Sequence, residues 1–218
     1  MDRKGIKKLI KAEFKDIINT NSFIKKSDTL YIKNTDRNVL QIINFDLGSI
    51  GFTCSVAMQP LYVIEHTKGI SLAMGERLSR FKIVQKEWWS YEEPMDGIKE
   101  IKELLLKNGM PWFRDYGTPE GIIDFISTGK YIEFGFVAFD SFHRSRILGF
   151  SLLYTGHLHE GLICINDLID EIKENAVDFM LLYKKQLEEL ATTIKSEPEK
   201  VPEILNTAIF ENKKCLKI

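Results

Sequence analysis

The sequence predicts an α+β protein, in which an antiparallel sheet of about four to six strands is covered by helices and the C-terminal third is all helical. Three observations lead to this fold class. Residues 3–19 have the apolar spacing of an amphipathic helix, residues 29–58 alternate with a period of two, and helical spacing returns from residue 141 onward. Of the 218 residues, 44% are hydrophobic, so the chain can bury a sizeable core.

The opening helix presents one apolar face and one basic face. Lysines occupy much of the surface that the apolar positions leave. We expect this helix to cover the sheet. Its apolar positions are Ile6, Leu9, Ile10, Phe14, Ile17 and Ile18.

Three antiparallel strands are predicted between Thr29 and Met58. The segments TLYIKN, NVLQIINFDL and GFTCSVAM alternate, and turn-forming residues at 34–36 and 48–49 separate them. In the third segment the larger apolar side chains share one face, and smaller side chains such as Thr53 and Ser55 share the other. This alternation is typical of a sheet that is covered on one side.

Residues 60–93 leave alternatives open. LYVIEH and RFKIVQKEWW fit strands, whereas GISLAMGERLSR between them fits a short helix and an irregular loop equally well. Further along the chain, KYIEFGFVAF at residues 130–139 alternates, and it predicts a late strand.

The remaining segments are predicted to be helices. One helix runs from Pro94 to Asn108, closed by Gly109 and stopped by Pro111, and a shorter one is capped by Thr118. The C-terminal third predicts helices at 141–156, 159–173 and 175–195 and a last short helix that opens at Pro198 or Pro202. We therefore expect an α+β part at 1–140 and a helical part at 141–218 that packs on it as one unit.

Composition limits the classes of function. The formal net charge is −1, which gives no global field of the kind that marks a dedicated nucleic-acid binder. No segment approaches the ~20 consecutive apolar residues that a membrane helix needs. Cys54, Cys164 and Cys215 are odd in number and widely separated, which argues against a disulfide framework and favours a reducing compartment. We expect a cytoplasmic protein with no membrane partner.

No catalytic, cofactor or metal motif stands out. His157 and His159 with Glu160 are the nearest approach to a zinc site, but histidines at i and i+2 point to different faces of a helix. We therefore predict no catalytic residue, no cofactor and no metal. An enzyme whose site is assembled from scattered residues is the alternative, and its polar candidates are Arg77, Arg80, Asp115 and His143.

Aromatic and arginine residues concentrate in one stretch, which contains every tryptophan of the chain. Such residues anchor protein interfaces because they bury a large area with few rotatable bonds. Packing in the core is the competing interpretation. The predicted protein-binding residues are Arg77, Arg80, Trp88, Trp89, Tyr91, Trp112, Phe113 and Arg114.

Two other surfaces are candidate interfaces. A heptad-like stripe at 176–194 indicates either intramolecular packing or a homodimer; its members are Ala176, Met180, Tyr183, Leu187, Leu190 and Ile194. A basic surface around the first helix indicates either a solvated face or a nucleic-acid site; its members are Arg3, Lys4, Lys7, Lys8, Lys11, Lys15, Lys25 and Lys26.

The order of elements resembles a bacterial family catalogued as domain of unknown function 4304. The resemblance is carried by FIKKSDTLYIKN, VLQIINFDLGSIGFTCSVAM, the loop with Arg77, and MPWFRDYGTPEGIIDFI, and it covers about residues 1–140. It implies a bacterial cytosolic protein with an α+β fold, and it transfers no functional residue. The leading hypothesis is a non-enzymatic protein that binds another protein, such as an immunity or antagonist factor in bacterial conflict.

Overall fold

The computed structural model describes residues 1–65, 69–81, 87–136 and 138–218. Within these ranges it confirms the α+β class, with one antiparallel sheet whose five strands are ordered as they follow along the chain. The strands are β1 (Ile24–Lys25), β2 (Leu30–Asn34), β3 (Val39–Leu47), β4 (Phe52–Pro60) and β5 (Met74–Arg77).

Helices surround the sheet and make up the C-terminal part of the chain. They are α1 (Arg3–Glu13), α2 (Lys15–Thr20), α3 (Pro94–Leu104), α4 (Met110–Tyr116), α5 (Pro119–Ser127), α6 (Lys130–Glu133), α7 (Ser141–Tyr154), α8 (Leu158–Glu171), α9 (Asp178–Ser196) and α10 (Val201–Leu216). Short 3₁₀ turns at Leu78–Arg80 and Pro198–Lys200 and a π turn at Leu105–Gly109 complete the set.

The three central strands lie where the period of two predicts them. β3 and β4 pair over their full length, from Val39 opposite Pro60 to Leu47 opposite Phe52. The sheet is buried on both faces, however, which corrects the one-sided prediction. Val56 and its neighbour Ala57 point to opposite faces of β4, and both are fully buried.

The first helix covers the sheet as expected, although it breaks once. The Phe14 ring packs edge-on against Phe45 of β3, with ring centroids 4.9 Å apart. Phe14 also separates α1 from α2. Asp2 caps α1 by accepting a hydrogen bond from the Gly5 amide, which satisfies one of the unpaired donors at the helix N-terminus.

The predicted stop at Gly109 and Pro111 is wrong, because the helical path continues from α3 through the π turn into α4. Gly109 does not end the helix. It allows close packing, because a Cβ there would lie 2.9 Å from Leu105 Cδ1 and 3.1 Å from Leu78 Cδ2. Pro111 is the second residue of α4 and follows directly on the π turn.

The next helix confirms its predicted cap, but the late strand is wrong. Thr118 accepts a hydrogen bond from the Gly121 amide at the start of α5. The described part of 130–139 forms α6 and a loop. Gly135 there has a φ of 76°, and a Cβ on it would lie 2.7 Å from the Arg80 carbonyl oxygen, so the chain turns where a strand would stay extended.

The edge strand β5 lies within the segment GISLAMGERLSR of region 60–93. The sequence pattern there favours a short helix or an irregular loop, so neither alternative predicts this strand. LYVIEH begins with a turn, and its last residue lies outside the described part of the chain. Residues 82–86 of RFKIVQKEWW also lie outside it. Trp89 pairs with Phe52 at the start of β4 through two backbone hydrogen bonds of 2.9 Å.

The C-terminal helices lie close to their predicted bounds, although α10 is a full helix of 16 residues where a short one was expected. The C-terminal helices pack on the chain segment that follows β4. Tyr62 stacks on Tyr154 of α7, with centroids 4.2 Å apart, and its hydroxyl lies 2.9 Å from Ser151 Oγ. None of the helices in the described ranges combines the length and apolarity needed to cross a membrane.

Candidate functional site

A groove of about 710 Å³ lies between the segment that follows β4 and the last two helices. We call it the C-terminal groove. Its size falls within the range of about 300–1,000 Å³ that is typical of ligand pockets. Its lining residues are Val63, Ile64, Glu65, Gln186, Ile204, Thr207, Ala208, Glu211, Asn212, Lys214 and Cys215.

Local sequence places the walls of the groove. On α10, the residues at 204, 207, 208, 211 and 215 recur every three or four positions, so they share one face of the helix. Asn212 fixes this face against the other wall, because its side-chain amide donates to the carbonyl oxygens of Leu61 (2.8 Å) and Val63 (2.9 Å). The adjacent Lys213 donates to Asn38 Oδ1 across 2.7 Å, which ties α10 to the turn between β2 and β3.

One lining residue, Glu65, belongs to a buried ion pair. Arg146 of α7 donates from Nη1 to Glu65 Oε2 across 2.8 Å, and the two side chains are only 2% and 8% exposed. Burial raises the pKa of Glu65, and the attraction of Arg146 and His143 opposes that rise without cancelling it. Tyr183 of α9 lies beside the pair, and burial also raises the pKa of its phenol.

Charged side chains line the groove beside its apolar walls. Glu65 is one of them, and its Oε2 accepts the hydrogen bond from Arg146. Two more charged side chains, Glu211 and Lys214, line the groove from α10, and neither forms an ion pair within the described part of the chain. The groove therefore combines charged side chains of both signs with apolar walls.

Exposed apolar side chains lie on both helices that line the groove. Phe210 is 63% exposed and lies one helical turn from both Thr207 and Lys214, which line the groove. On α9, Phe179 and Leu182 are 51% and 61% exposed and follow the same side of the helix as Gln186. Large exposed apolar side chains are frequent at interaction surfaces.

The structure places three of the predicted anchor residues in the core. Trp89, Trp112 and Phe113 are each at most 2% exposed, so no partner can reach them in this conformation. Trp89 donates from Nε1 to Glu100 across 2.6 Å, and Trp112 packs among phenylalanine rings such as Phe81. For these three residues the competing interpretation as core residues is correct.

Two of the remaining predicted anchors form a partly exposed cluster with Trp88. Arg77 and Arg80 both donate to the carboxylate of Glu87, and Arg80 also reaches Glu76 at 3.4 Å. The Arg77 guanidinium lies 5.0 Å from the centre of the Trp88 ring. Both arginines already have carboxylate partners, so this cluster is largely neutralised within the chain.

The last two predicted anchors lie apart from that cluster in the hydrogen-bond network. Tyr91 is half-buried, and its hydroxyl donates to the Gly48 carbonyl across 2.8 Å. Arg114 is 74% exposed and pairs with the neighbouring Asp115. The eight predicted residues thus divide between the core, an ion-pair cluster and isolated surface positions.

The polar candidates for an enzyme site are not brought together. Arg77 and Arg80 share Glu87, Asp115 pairs with Arg114, and His143 pairs with Asp140 at 2.8 Å. No hydrogen bond or ion pair among the described residues joins these three groups. Within the same residues, no group of three or more histidine, cysteine, aspartate or glutamate side chains has the arrangement of a metal site.

The heptad-like stripe packs inside the chain. Tyr183, Leu187, Leu190 and Ile194 are each at most 6% exposed. A dimer through this stripe would require α9 to leave its own core. The opposite, exposed side of α9 carries Phe179 and Leu182 instead.

Lysines of the opening helix remain at the surface, as either interpretation of the basic face requires. Lys4, Lys8 and Lys11 are exposed, whereas Lys7 and Lys25 lie near Asp28, at 4.0 and 2.7 Å. Lys26 leaves the basic face and donates to the backbone carbonyls of Leu216 and Lys217.

Sequence reasoning missed the C-terminal groove and its ion pair. Glu65 and Arg146 are 81 positions apart, and each alone has the pattern of an ordinary surface charge. The one available signal was Arg146 itself, which lies next to the apolar Ile147 in a helix that is apolar on most sides. No family model, curated protein or solved structure matches the chain.

Proposed function

We propose that this protein is a non-enzymatic binding protein that recognises another protein through the C-terminal groove. One observation carries the proposal: an open groove of about 710 Å³ combines apolar walls with the charged side chains of Glu65, Glu211 and Lys214. Pockets that combine apolar walls with a few convergent polar groups are the usual form of a binding site.

The surroundings of the groove support a protein partner over a small molecule. Phe210, Phe179 and Leu182 extend apolar surface beyond the cavity itself. Exposed aromatic side chains on the helices of a pocket favour a protein partner, because aromatic residues are enriched at protein interfaces.

A matched pair of substitutions tests the proposal. Thr207 and Thr192 are both exposed helical threonines, and each bonds the carbonyl oxygen four residues earlier, at 3.0 and 2.9 Å. Thr207 lines the groove and Thr192 does not. Thr207→Trp therefore fills the groove, and Thr192→Trp adds the same bulk elsewhere.

The measurement is affinity capture from a lysate of the protein's own host, with the full-length wild type and the two variants as baits and mass spectrometry as the readout. We expect a partner that the wild type and Thr192→Trp retain and that Thr207→Trp loses. A partner retained equally by all three baits would contradict recognition through the groove.

A narrower proposal joins the immunity-factor hypothesis to the resemblance noted in the sequence, which implies only a bacterial cytosolic protein. Under that proposal the protein is cytoplasmic and bacterial, and the partner is a toxin that it neutralises as an immunity factor. Identification of the captured partner as a toxin of the same host would support the proposal, and a housekeeping partner would oppose it.

A further inference from the structure

The outer face of α10 carries a line of four exposed side chains. They recur at spacings of four, three and four residues, so they share one side of the helix. The buried Leu205 and Ile209 lie on the opposite side, so this line of residues faces away from the core. We call it the α10 stripe, and its members are Glu203, Thr207, Phe210 and Lys214.

The middle of the stripe places a large apolar side chain next to a small one. Phe210 is 63% exposed. A single exposed apolar side chain is ordinary at a protein surface, so Phe210 alone does not identify a partner. The Thr207 hydroxyl donates to the Glu203 carbonyl oxygen across 3.0 Å, so it needs no further hydrogen-bond partner when an apolar group covers it.

The two ends of the stripe carry opposite charges. Glu203 lies at its N-terminal end and Lys214 at its C-terminal end, and neither forms an ion pair with any residue that the structure describes. Lys200, three residues before Glu203, pairs with Glu197 instead. Both stripe charges are therefore available to a partner.

This order of residues is complementary to itself when two copies of α10 run antiparallel. Glu203 of one copy then lies opposite Lys214 of the second copy, and Thr207 lies opposite Phe210. Each of these contacts occurs twice, because a two-fold axis relates the copies. Opposite charges meet at both ends, and each large ring meets a small side chain. A parallel arrangement would place like charges opposite each other.

We propose that the α10 stripe is the interface of a homodimer, in which the stripes of two copies pack antiparallel. Its spacing of four and three residues is that of the core positions of coiled coils, whose side chains interdigitate. The stripe is shorter than the three to four heptads of a sustained coiled coil, so the dimer is weak and reversible. It uses exposed residues, unlike the heptad-like stripe of α9, which is buried.

The inference goes beyond the proposed function, because it assigns a second copy of this chain to a different face of α10. The groove runs along Ile204, Ala208 and Glu211, to one side of the stripe, and only Thr207 and Lys214 belong to both surfaces. Self-association is measured on the purified protein without any other partner. It can therefore fail while capture of a different protein succeeds, and the reverse.

Charge reversal tests the pairing. Sedimentation equilibrium of the full-length protein is followed over about a hundredfold range of concentration, because dimerisation obeys mass action. We expect the wild type to associate reversibly to a dimer. Glu203→Lys and Lys214→Glu should each raise the dimer dissociation constant about tenfold, because each replaces two attractive pairs by two repulsive ones.

An equimolar mixture of the two charge variants separates pairing from a loss of folding. In the mixed dimer each reversed charge faces a charge of opposite sign, so the mixture should dimerise about as well as the wild type. Damage to the fold of either variant could not be repaired by mixing. Glu203 and Lys214 also suit the ends of the helix dipole, so the helix content of each variant is checked first by circular dichroism.

Phe210→Ala tests the aromatic contact, and Ile50→Ala is its control. Ile50 is 74% exposed in the turn between β3 and β4, outside the stripe. Phe210→Ala should raise the dissociation constant at least about tenfold, as expected for an aromatic anchor, and Ile50→Ala should leave it unchanged. Unchanged dimerisation of Phe210→Ala, or a mixture of the charge variants that stays monomeric, would overturn the inference. A wild type that stays monomeric at every concentration would also overturn it and leave the stripe to a different protein.

Discussion

Arg146 and Glu65 form an ion pair across 2.8 Å with both side chains more than nine-tenths buried. The pair joins α7 to the end of the segment that follows β4, so it connects the helical layer to the sheet. Buried pairs of this kind are weak evidence for net stability, because desolvation offsets the Coulomb attraction. Their removal one charge at a time has a large and predictable effect.

Arg146→Met should lower the free energy of unfolding by about 3–5 kcal/mol at pH 7, since it leaves Glu65 buried without its cation. The double variant Glu65→Met/Arg146→Met should recover most of that loss, because no uncompensated charge remains. Urea denaturation of the wild type, both single variants and the double variant measures the cycle. Additive losses in the double variant would contradict the pairing.

The loss in Arg146→Met should depend on pH. The pKa of Glu65 is raised in the folded state, and removal of Arg146 raises it further. A raised carboxyl pKa makes the folded state bind the proton more tightly, so stability falls as pH rises from the ordinary pKa of glutamate through the folded value. The loss of unfolding free energy in Arg146→Met relative to the wild type should therefore be smaller at pH 5 than at pH 7. An equal loss at both pH values would contradict the raised pKa of Glu65.

The three tryptophans should divide into two classes. Trp89 and Trp112 are each 1% exposed, so Trp89→Ala and Trp112→Ala should each cost about 3–5 kcal/mol of stability. Trp88 is partly exposed and contacts Arg77, so Trp88→Ala should cost much less. Thermal denaturation of the three variants checks this order. A stable Trp112→Ala would contradict its place in the core.

Period-two alternation predicted β2, β3 and β4 correctly because those strands are long and paired over most of their length. The same signal failed at 130–139. Phe134 and Phe136 alternate there because both enter the aromatic cluster around Phe125, with centroids 5.7 and 5.2 Å away, and not because they share a strand face. Alternation reports burial, and tertiary packing can bury alternate residues of a loop.

The candidate site depended on pairings that no local pattern contains. Glu65 follows a turn, and Arg146 belongs to a helix far along the chain, so their meeting is set by how α7 docks. Trp89, Trp112 and Phe113 were predicted as interface anchors and lie in the core for a related reason. Residue type alone does not distinguish an interface tryptophan from a core tryptophan, since both bury the same large ring.

Two glycine substitutions should change stability in opposite directions. In α3, a Cβ on Gly97 would lie 2.8 Å from Trp89 Cβ and 2.9 Å from Phe52 Cζ, so Gly97→Ala should destabilise the protein by about 1–3 kcal/mol despite its better helix propensity. In α1, the atoms nearest to a Cβ on Gly5 belong to the flexible Met1 side chain, so Gly5→Ala should gain up to about 1 kcal/mol. Urea denaturation compares the two, and equal gains would contradict the tight contact at Gly97.

The three cysteines should react with a thiol reagent in the order of their exposure. Cys215 is exposed at the wall of the C-terminal groove, so it should be modified first. Cys164 is half-buried, and burial raises the pKa of its thiol, so less thiolate is present and modification should be slower. Cys54 lies fully buried on β4 with a pKa raised well above its usual value. It should react only through unfolding, at least about 10³-fold more slowly than Cys215 for a protein of ordinary stability.

Mass spectrometry of peptides after timed exposure to iodoacetamide, with and without urea, gives the three rates. In urea the three modification rates should become similar. Rapid modification of Cys54 without urea would mean that the sheet is not covered as described.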